Sequence, residues 1–240
     1  IDRSLVGSEM CIRDRDISSI KNWIESEQLT MAFLPTPLAE SLLAYPWADN
    51  GHLRYLLTGG DRLNIRPAAN LPFKLINNYG PTEYSVVASS GVVEPDGIDL
   101  PDLGSPIANT VMVIVDEYDR LLPVGAPGEL LISGAGMAKG YFGQATLTKE
   151  AFSPLRFIHQ DDKTNFYHTG DLASIDGEGR IHFHGRIDNQ VQIRGYRIEP
   201  EDIEASLLEM PDIRQCAVVA VGNGSNKAVS YTHLTLPTRS

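Results

Sequence analysis

The sequence predicts an α/β chain whose character changes midway, from a doubly wound, largely parallel sheet to an antiparallel sheet or barrel. Three observations lead there. Apolar runs of strand length alternate with segments of helical period as far as Ile76. From Val111 onward the strands are short and cut by glycine and proline turns. Between the two patterns stands Gly80-Pro81, which must turn the chain sharply, because glycine accepts backbone angles that other residues resist and proline fixes its own.

In chain order, Ile17, Ile20, Trp23 and Ile24 recur at helical spacing to about Gln28, with Asp16, Ser18 and Ser19 available as caps. Thr30 to Leu34 reads as a short buried strand, broken by Pro35 and Pro37, and Leu38 to Leu43 as a helix with a proline-preset first turn. Leu53 to Thr58 is a strand ended by Gly59-Gly60, and the apolar run Leu71 to Ile76 ends another. In such sheets ligands sit at the carboxyl ends of strands, where Phe33, Gly59 and Tyr79 fall. Val86 to Val93 reads as the next strand, followed by Val111 to Val115, Gly128 to Ile132, Phe166 to His168, Ala173 to Ile175 and Ile181 to His184. Asp176-Gly177-Glu178-Gly179 is a hairpin turn, and Gly134-Ala135-Gly136 is a structural turn rather than a phosphate loop, since no lysine-serine pair follows. Val191-Gln192-Ile193 and Tyr196-Arg197-Ile198 flank Arg194-Gly195 as a hairpin, before a helix from Pro200 to Met210 and a strand from Ala217 to Val221.

The formal charge of −11 and pI near 4.9 argue against nucleic acid and anionic membrane as partners, since both would repel the chain. No run approaches the roughly 18 apolar residues of a membrane span. Two cysteines, Cys11 and Cys216, supply neither a disulfide framework nor a metal cluster, which fits a reducing cytoplasm. Cys216, in an apolar run, reads as a small core residue rather than a nucleophile.

The chemistry concentrates in Asn77-Asn78-Tyr79-Gly80-Pro81-Thr82-Glu83. Its turn brings together an aromatic face, a hydroxyl and a carboxylate: Tyr79 could stack on a base, while Thr82 and Glu83 are hard oxygen ligands of the kind Mg²⁺ takes beside phosphates. Alone the heptad is as readily a turn as a site. Two later stretches, Tyr167 to Leu172 (Tyr-His-Thr-Gly-Asp-Leu) and Gly185 to Glu199, carry further charge and glycine in fixed order.

Together with Gly128-Glu129-Leu130 through Ala138-Lys139-Gly140-Tyr141, these stretches resemble the ordered core motifs of the adenylate-forming enzymes, above all the amino-acid adenylation domains of nonribosomal peptide synthetases. The resemblance runs from about Ile17 to Val221. It implies part of the adenylate-forming fold: the doubly wound sheet and barrel-like antiparallel sheet of the large domain, then the start of a small α+β C-terminal domain. The expected organisation is 16–187 for the large subdomain and 188–228 for a hinge and the start of the small one.

The tails 1–15 and 229–240 are set apart. Glu9 to Asp14 and Val229 to Leu234 back-translate to sequences that are reverse complements in a shifted frame, which resembles a sequencing adaptor read on both strands. This removes Cys11 and His233 as candidates.

By resemblance Tyr79 stacks the adenine with the Asn77–Asn78 backbone near its amino edge, Thr82 contacts phosphate and Glu83 coordinates Mg²⁺. Asp171 fits a ribose clamp, since one carboxylate accepts from both hydroxyls; otherwise it is a turn aspartate after Gly170. Arg186 offers a fork for ribose or phosphate oxygens, or else a surface salt bridge. Phe183 packs beneath the nucleotide or is plain core. Asp188 would be the hinge on which the small domain turns. Phe33, Leu57, Gly59, Asn78, Val86 and Val87 would line the substrate pocket, Gly59 leaving room within it and Val86 and Val87 on the strand after the heptad, in a series similar to the family's leucine-selecting pattern.

The implied reaction uses ATP and Mg²⁺ to form an aminoacyl-adenylate and loads it on the phosphopantetheine of a peptidyl carrier domain, with a condensation domain as neighbour. His168 departs from the family's arginine or lysine, and Gln192 from its common lysine. The family's phosphate loop, its amine-gripping aspartate and its C-terminal lysine have no counterpart here, so the isolated chain is expected to be inert. An acyl-CoA ligase, which lacks the amine-gripping aspartate, and a non-catalytic remnant of the fold are the competing readings.

Overall fold

Asp16 starts the first helix as its sequence requires. Its carboxylate accepts from the Ser18 amide at 3.1 Å and from the Ser18 and Ser19 hydroxyls at 2.8–2.9 Å, satisfying a donor that the first turn leaves orphaned. The computed structural model describes residues 16–49, 51–155, 164–193, 196–210, 213, 215–221 and 228–235. The tail 1–15 with Cys11, Arg194 and Gly195, and 236–240 lie outside the described residues. The chain forms two units, Ile1–Tyr79 with Ser90–Gly104, and Gly80–Ser89 with Ser105–Ser240.

In the first unit, α1 (Ile17–Ser26) and α2 (Thr36–Leu43) accompany parallel strands β1 (Met31–Pro35), β2 (Tyr55–Gly59) and β3 (Lys74–Tyr79), with β4 (Ser89–Val92) next to β3. Ile20 and Ile24 of α1 and Ala39 and Leu42 of α2 form one core with Leu56 of β2, Leu75 of β3, Leu53, Leu63, Phe73 and Val93. Each buried leucine, isoleucine or phenylalanine side chain among them contributes roughly 1.5–3 kcal/mol. Register fixes what the other face shows. Phe33 pairs with Leu57 and Leu57 with Ile76, so this row points away from the helix-covered face, and Phe33 is 54% exposed.

The second unit holds an antiparallel sheet in the order β10-β9-β7-β6: β6 (Thr110–Val115), β7 (Gly128–Gly134), β9 (Asn165–Ile175) and β10 (Ile181–Arg186). Strand β8 (Phe152–Pro154) pairs with β9 after the short α3 (Ala145–Ala151), and the two-residue β5 (Ser105–Pro106) precedes β6. Val115, Leu131, Leu155 and Phe166 pack together at its core. Beyond β10 come the hairpin β11 (Val191–Ile193) and β12 (Tyr196–Ile198), α4 (Pro200–Leu208), and β13 (Gln215–Val221) paired with β14 (Ala228–Thr235). Cys216 lies half-buried on β13, its thiol 3.5 Å from the Glu204 carbonyl.

Four expectations change. The strands expected at Phe166–His168 and Ala173–Ile175 are one, β9, because Gly170 takes φ +71° and carries the ladder through the bend. Asn77, Asn78 and Tyr79 end β3 rather than forming the turn. Val86 and Val87 are not on a strand: Thr82–Tyr84 is a 3₁₀ turn, Ser85 and Val86 follow with φ of +52° and +78°, and β4 begins only at Ser89. A β-branched residue in the left-handed region is strained, and surrounding packing must hold it there. Finally, the Ala228–Thr235 backbone pairs with β13 although 229–240 was set apart; ladder hydrogen bonds ask little of side-chain identity.

Candidate functional site

In the first unit the expected substrate-side residues fall on one face of the sheet. Gly59 and Asn78 are register partners, two residues beyond the Phe33–Leu57–Ile76 row and on the same side. Ile76 belongs to that row; period-two alternation along β3 would have revealed it. Gly59 does more than leave room. A Cβ there would lie 2.6 Å from the Asn78 carbonyl oxygen, so a side chain would meet β3 before it met any ligand. Asn78 is buried, its Oδ1 accepting from Ser90 Oγ at 2.7 Å, and Tyr79 is half-buried at the strand end. Asn77 faces the other way and donates from Nδ2 to the Asp102 carbonyl at 2.8 Å.

In the second unit Tyr84 anchors the 3₁₀ turn. It is 1% exposed and its hydroxyl donates to Thr110 Oγ1 at 3.0 Å, in a space that Gly134 and Gly136 leave open. The Ala138 amide donates to the Glu83 carbonyl at 2.8 Å and Ser85 Oγ to the Gly136 carbonyl at 2.8 Å. Thr82 is thereby left exposed. The Glu83 carboxylate, 10% exposed, accepts from Tyr141 Oη at 2.7 Å and from Arg197 Nη1 at 3.0 and 2.9 Å. Burial works to protonate Glu83, but the Tyr141 hydrogen bond and the Arg197 charge outweigh it and hold its pKa below the usual range.

Asp171 and Arg186 are register partners on β9 and β10, joined by Nη1 to Oδ1 at 2.8 Å. Arg186 Nη1 also donates to the Thr169 carbonyl at 2.8 Å, and Nε and Nη2 grip Asp188 at 2.8 and 2.5 Å. The expected ligand fork is therefore largely spent on protein oxygens, bracketing two carboxylates. Burial opposes its charge, yet Asp188 and Asp171 keep it protonated. The glycine between Thr169 and Asp171 is required by this bracket, since a Cβ on Gly170 would lie 2.6 Å from Asp188 Oδ2 and 2.7 Å from Arg186 Nη2. Phe183, half-buried, pairs in register with Ala173.

His168, the departure noted in the sequence, holds a second bracket. Its Nδ1 lies 3.3 Å from Glu129 Oε2, whose other oxygen accepts from the Gly170 amide at 3.1 Å. The Glu129 hydrogen bond raises the histidine pKa above 6.5 against the opposing effect of burial. A raised folded-state pKa means that the pair stabilises fully below pH 6.5 and that this stability is lost as pH rises through the folded value. We expect urea unfolding to show a decline of about 1 kcal/mol across that window. The decline should vanish in His168→Gln; its persistence there would assign it to another group.

Mg²⁺ can be tested against these residues. Among the described residues no group of three His, Cys, Asp or Glu side chains could cage a metal, whereas Glu83 is one ionised, nearly buried carboxylate already holding a positive charge. That donor set fits a cation held by one carboxylate plus substrate phosphates, the usual habit of Mg²⁺.

Known proteins resemble this chain in sequence and in fold. The AMP-binding enzyme family matches residues 4–142. The chain is 42% identical over 203 residues to a linear gramicidin synthase polypeptide of Brevibacillus parabrevis, covering 84% of this chain and 3% of that protein. Among solved structures, a nonribosomal peptide synthetase protein containing adenylation and PCP domains superposes with TM-score 0.74 at 29% identity, over 90% of this chain and 45% of that one. A four-domain nonribosomal peptide synthetase bound to AMP and glycine gives TM-score 0.64 at 32% identity, over 94% and 17%. The chain thus spans a small part of the curated relative's length. With the motifs in order and the fold around them, the chain belongs to the AMP-binding enzyme family, in its nonribosomal-peptide-synthetase adenylation branch.

Proposed function

We propose that the protein carrying this chain activates an amino acid, leucine first, and passes it to a carrier-domain thiol. The amino-acid carboxylate oxygen would attack the α-phosphorus of ATP, the bond to pyrophosphate would break, and the carrier's phosphopantetheine thiol would then displace AMP from the acyl carbon. The observation that carries the reading is the Asp171–Arg186 register pair folded over Gly170. It holds a nearly buried carboxylate in one orientation, as a clamp on two vicinal hydroxyls requires. A carboxylate offers about four acceptor positions, and the bond from Arg186 takes one of them. By motif resemblance alone, Tyr79 would supply the stacking face; Thr82 has an exposed hydroxyl suited to phosphate. Mg²⁺, when bound, supplies neutralisation of phosphate charge, and Glu83 is the residue that would hold it.

The choice of leucine rests on the first unit. Phe33, Leu57 and Ile76 form an apolar row beside Gly59, so a charged substrate side chain there would lose hydration without partners, at roughly 1–3 kcal/mol or more. Since the space over Gly59 is limited by Asn78, selectivity falls to the row of large apolar side chains. A methylene is worth only about 1–3 kcal/mol in such a setting, so discrimination against isoleucine, valine and methionine is incomplete. In a full-length synthetase carrying this segment, amino-acid-dependent pyrophosphate exchange should be fastest with leucine. Asp171→Ala should raise the KM for ATP roughly tenfold or more. A preference for aspartate, lysine or tryptophan would overturn the leucine assignment, and an unchanged KM would remove Asp171 from the site.

A further inference from the structure

The segment Ala138-Lys139-Gly140-Tyr141 has so far no task, yet it is built around Glu83. Its Ala138 amide donates to the Glu83 carbonyl at 2.8 Å and its Tyr141 hydroxyl to Glu83 Oε1 at 2.7 Å, so backbone and side chain of one residue are both held by a single short loop. The loop is itself anchored. The Tyr141 amide donates to Thr148 Oγ1 at 2.9 Å, and the Tyr141 ring meets Phe152 edge-on at 5.7 Å, which in turn lies 5.1 Å from Tyr167. Gly140, at φ +135°, has Thr148 Cγ2 2.3 Å from where a Cβ would stand, so the loop can come this close to α3 only with glycine there.

A neutral phenol and a guanidinium act differently on the carboxylate. Arg197 pairs with the charge of Glu83 and would have to give way to a cation there, whereas Tyr141 satisfies one acceptor position, fixes the carboxylate orientation and adds no charge. Resting on the reading that Glu83 meets a divalent cation, we propose that Tyr141 is a positioning residue for adenylation, whose hydroxyl fixes the oxygens that Glu83 presents to that cation. Groups that orient a metal ligand from behind typically account for 10- to 100-fold in affinity or activity.

The test is direct cation binding, Mn²⁺ in the presence of ATP followed by electron paramagnetic resonance, on a full-length synthetase carrying this segment. Tyr141→Phe, which keeps the ring and its packing, should weaken Mn²⁺ about tenfold and leave the KM for the amino acid unmoved. Glu83→Gln should weaken Mn²⁺ at least as much, and adding Tyr141→Phe to it should change affinity less than twofold, because the hydroxyl acts through the carboxylate. Thr148→Val, which only loosens the loop, should give a smaller loss in the same direction. Unaltered Mn²⁺ affinity in Tyr141→Phe would overturn the proposal, as would an undiminished effect in the Glu83→Gln background. Failure of the unsubstituted synthetase to bind Mn²⁺ with ATP would overturn the functional reading as well.

Discussion

Replacing Arg186 with alanine is expected to destabilise the second unit by about 3 kcal/mol, a larger cost than removal of any single surface ion pair. The side chain is 20% exposed and that of Asp171 9%, so the pair is mostly out of water. Removing one partner leaves the other with its desolvation uncompensated, which is the expensive way to break a buried pair. Four acceptor atoms lose a donor together: Asp171 Oδ1, both oxygens of Asp188, and the Thr169 carbonyl. For a unit of this size the loss corresponds to a fall of roughly 6–12 °C in its melting midpoint.

The companion variant Arg186→Lys separates charge from geometry. A lysine keeps the positive charge but cannot reproduce a planar fork that serves acceptors on both sides. It should recover about half of the stability and less than half of the nucleotide affinity, because Asp171 would keep a neutralising neighbour without a fixed orientation. Calorimetry on the three proteins decides the matter. An alanine variant within about 0.5 kcal/mol of the parent would show that the bracket is a surface contact with no structural weight.

The parts of the site that could be read in the sequence are those written in consecutive residues. Thr169-Gly170-Asp171 and Gly80-Pro81-Thr82-Glu83 each combine a backbone requirement with a functional group, so glycine and proline marked the places. That Phe33, Leu57 and Gly59 lie on strands of one parallel sheet was legible because apolar runs of strand length end there at proline or glycine. What escaped was set by contacts between distant residues. Tyr84 seals the turn against Thr110 and Ser133, Glu129 ties His168 to the Gly170 amide, and Arg197 reaches Glu83 across 114 positions. No local pattern announces a partner that far along the chain. The Val86 turn escaped for the opposite reason: two adjacent valines favour a strand, and tertiary anchoring by Tyr84 and the Ser85–Gly136 bond overrides that preference. Gly59 was seen as a gap in a pocket because sequence shows a missing side chain but not the strand that fills its space.

Gly104→Ala is expected to have the largest effect on the first unit, about 4 kcal/mol or more, and to carry the β3 end with it. Two costs add. The residue has φ +72°, which an L side chain adopts at a cost of roughly 1–2 kcal/mol. The added Cβ would also lie 2.2 Å from the Ser90 carbonyl carbon and oxygen and 2.3 Å from the Gly91 amide nitrogen, so main chain rather than a pliable side chain must move. Gly91 is pressed against Gly104 from its own side, with its Cβ position 2.5 Å from the Gly104 Cα. The backbone cannot move without consequence. Ser90 holds Asn78 at 2.7 Å, Asp102 holds Asn77 through its carbonyl at 2.8 Å, and its carboxylate takes the Gly104 amide at 2.8 Å. Displacing Gly104 therefore loosens the two residues before Tyr79. Gly60→Ala isolates the first cost, since Gly60 has φ +87° and open space around its Cβ position. Urea unfolding should place Gly60→Ala within about 1–2 kcal/mol of the parent and Gly104→Ala far beyond it, with amide exchange at Asn78 and Tyr79 accelerated only in the latter. Equal losses in the two variants would mean that the left-handed angle alone selects glycine at position 104 and that the Gly91–Gly104 contact does not brace the end of β3.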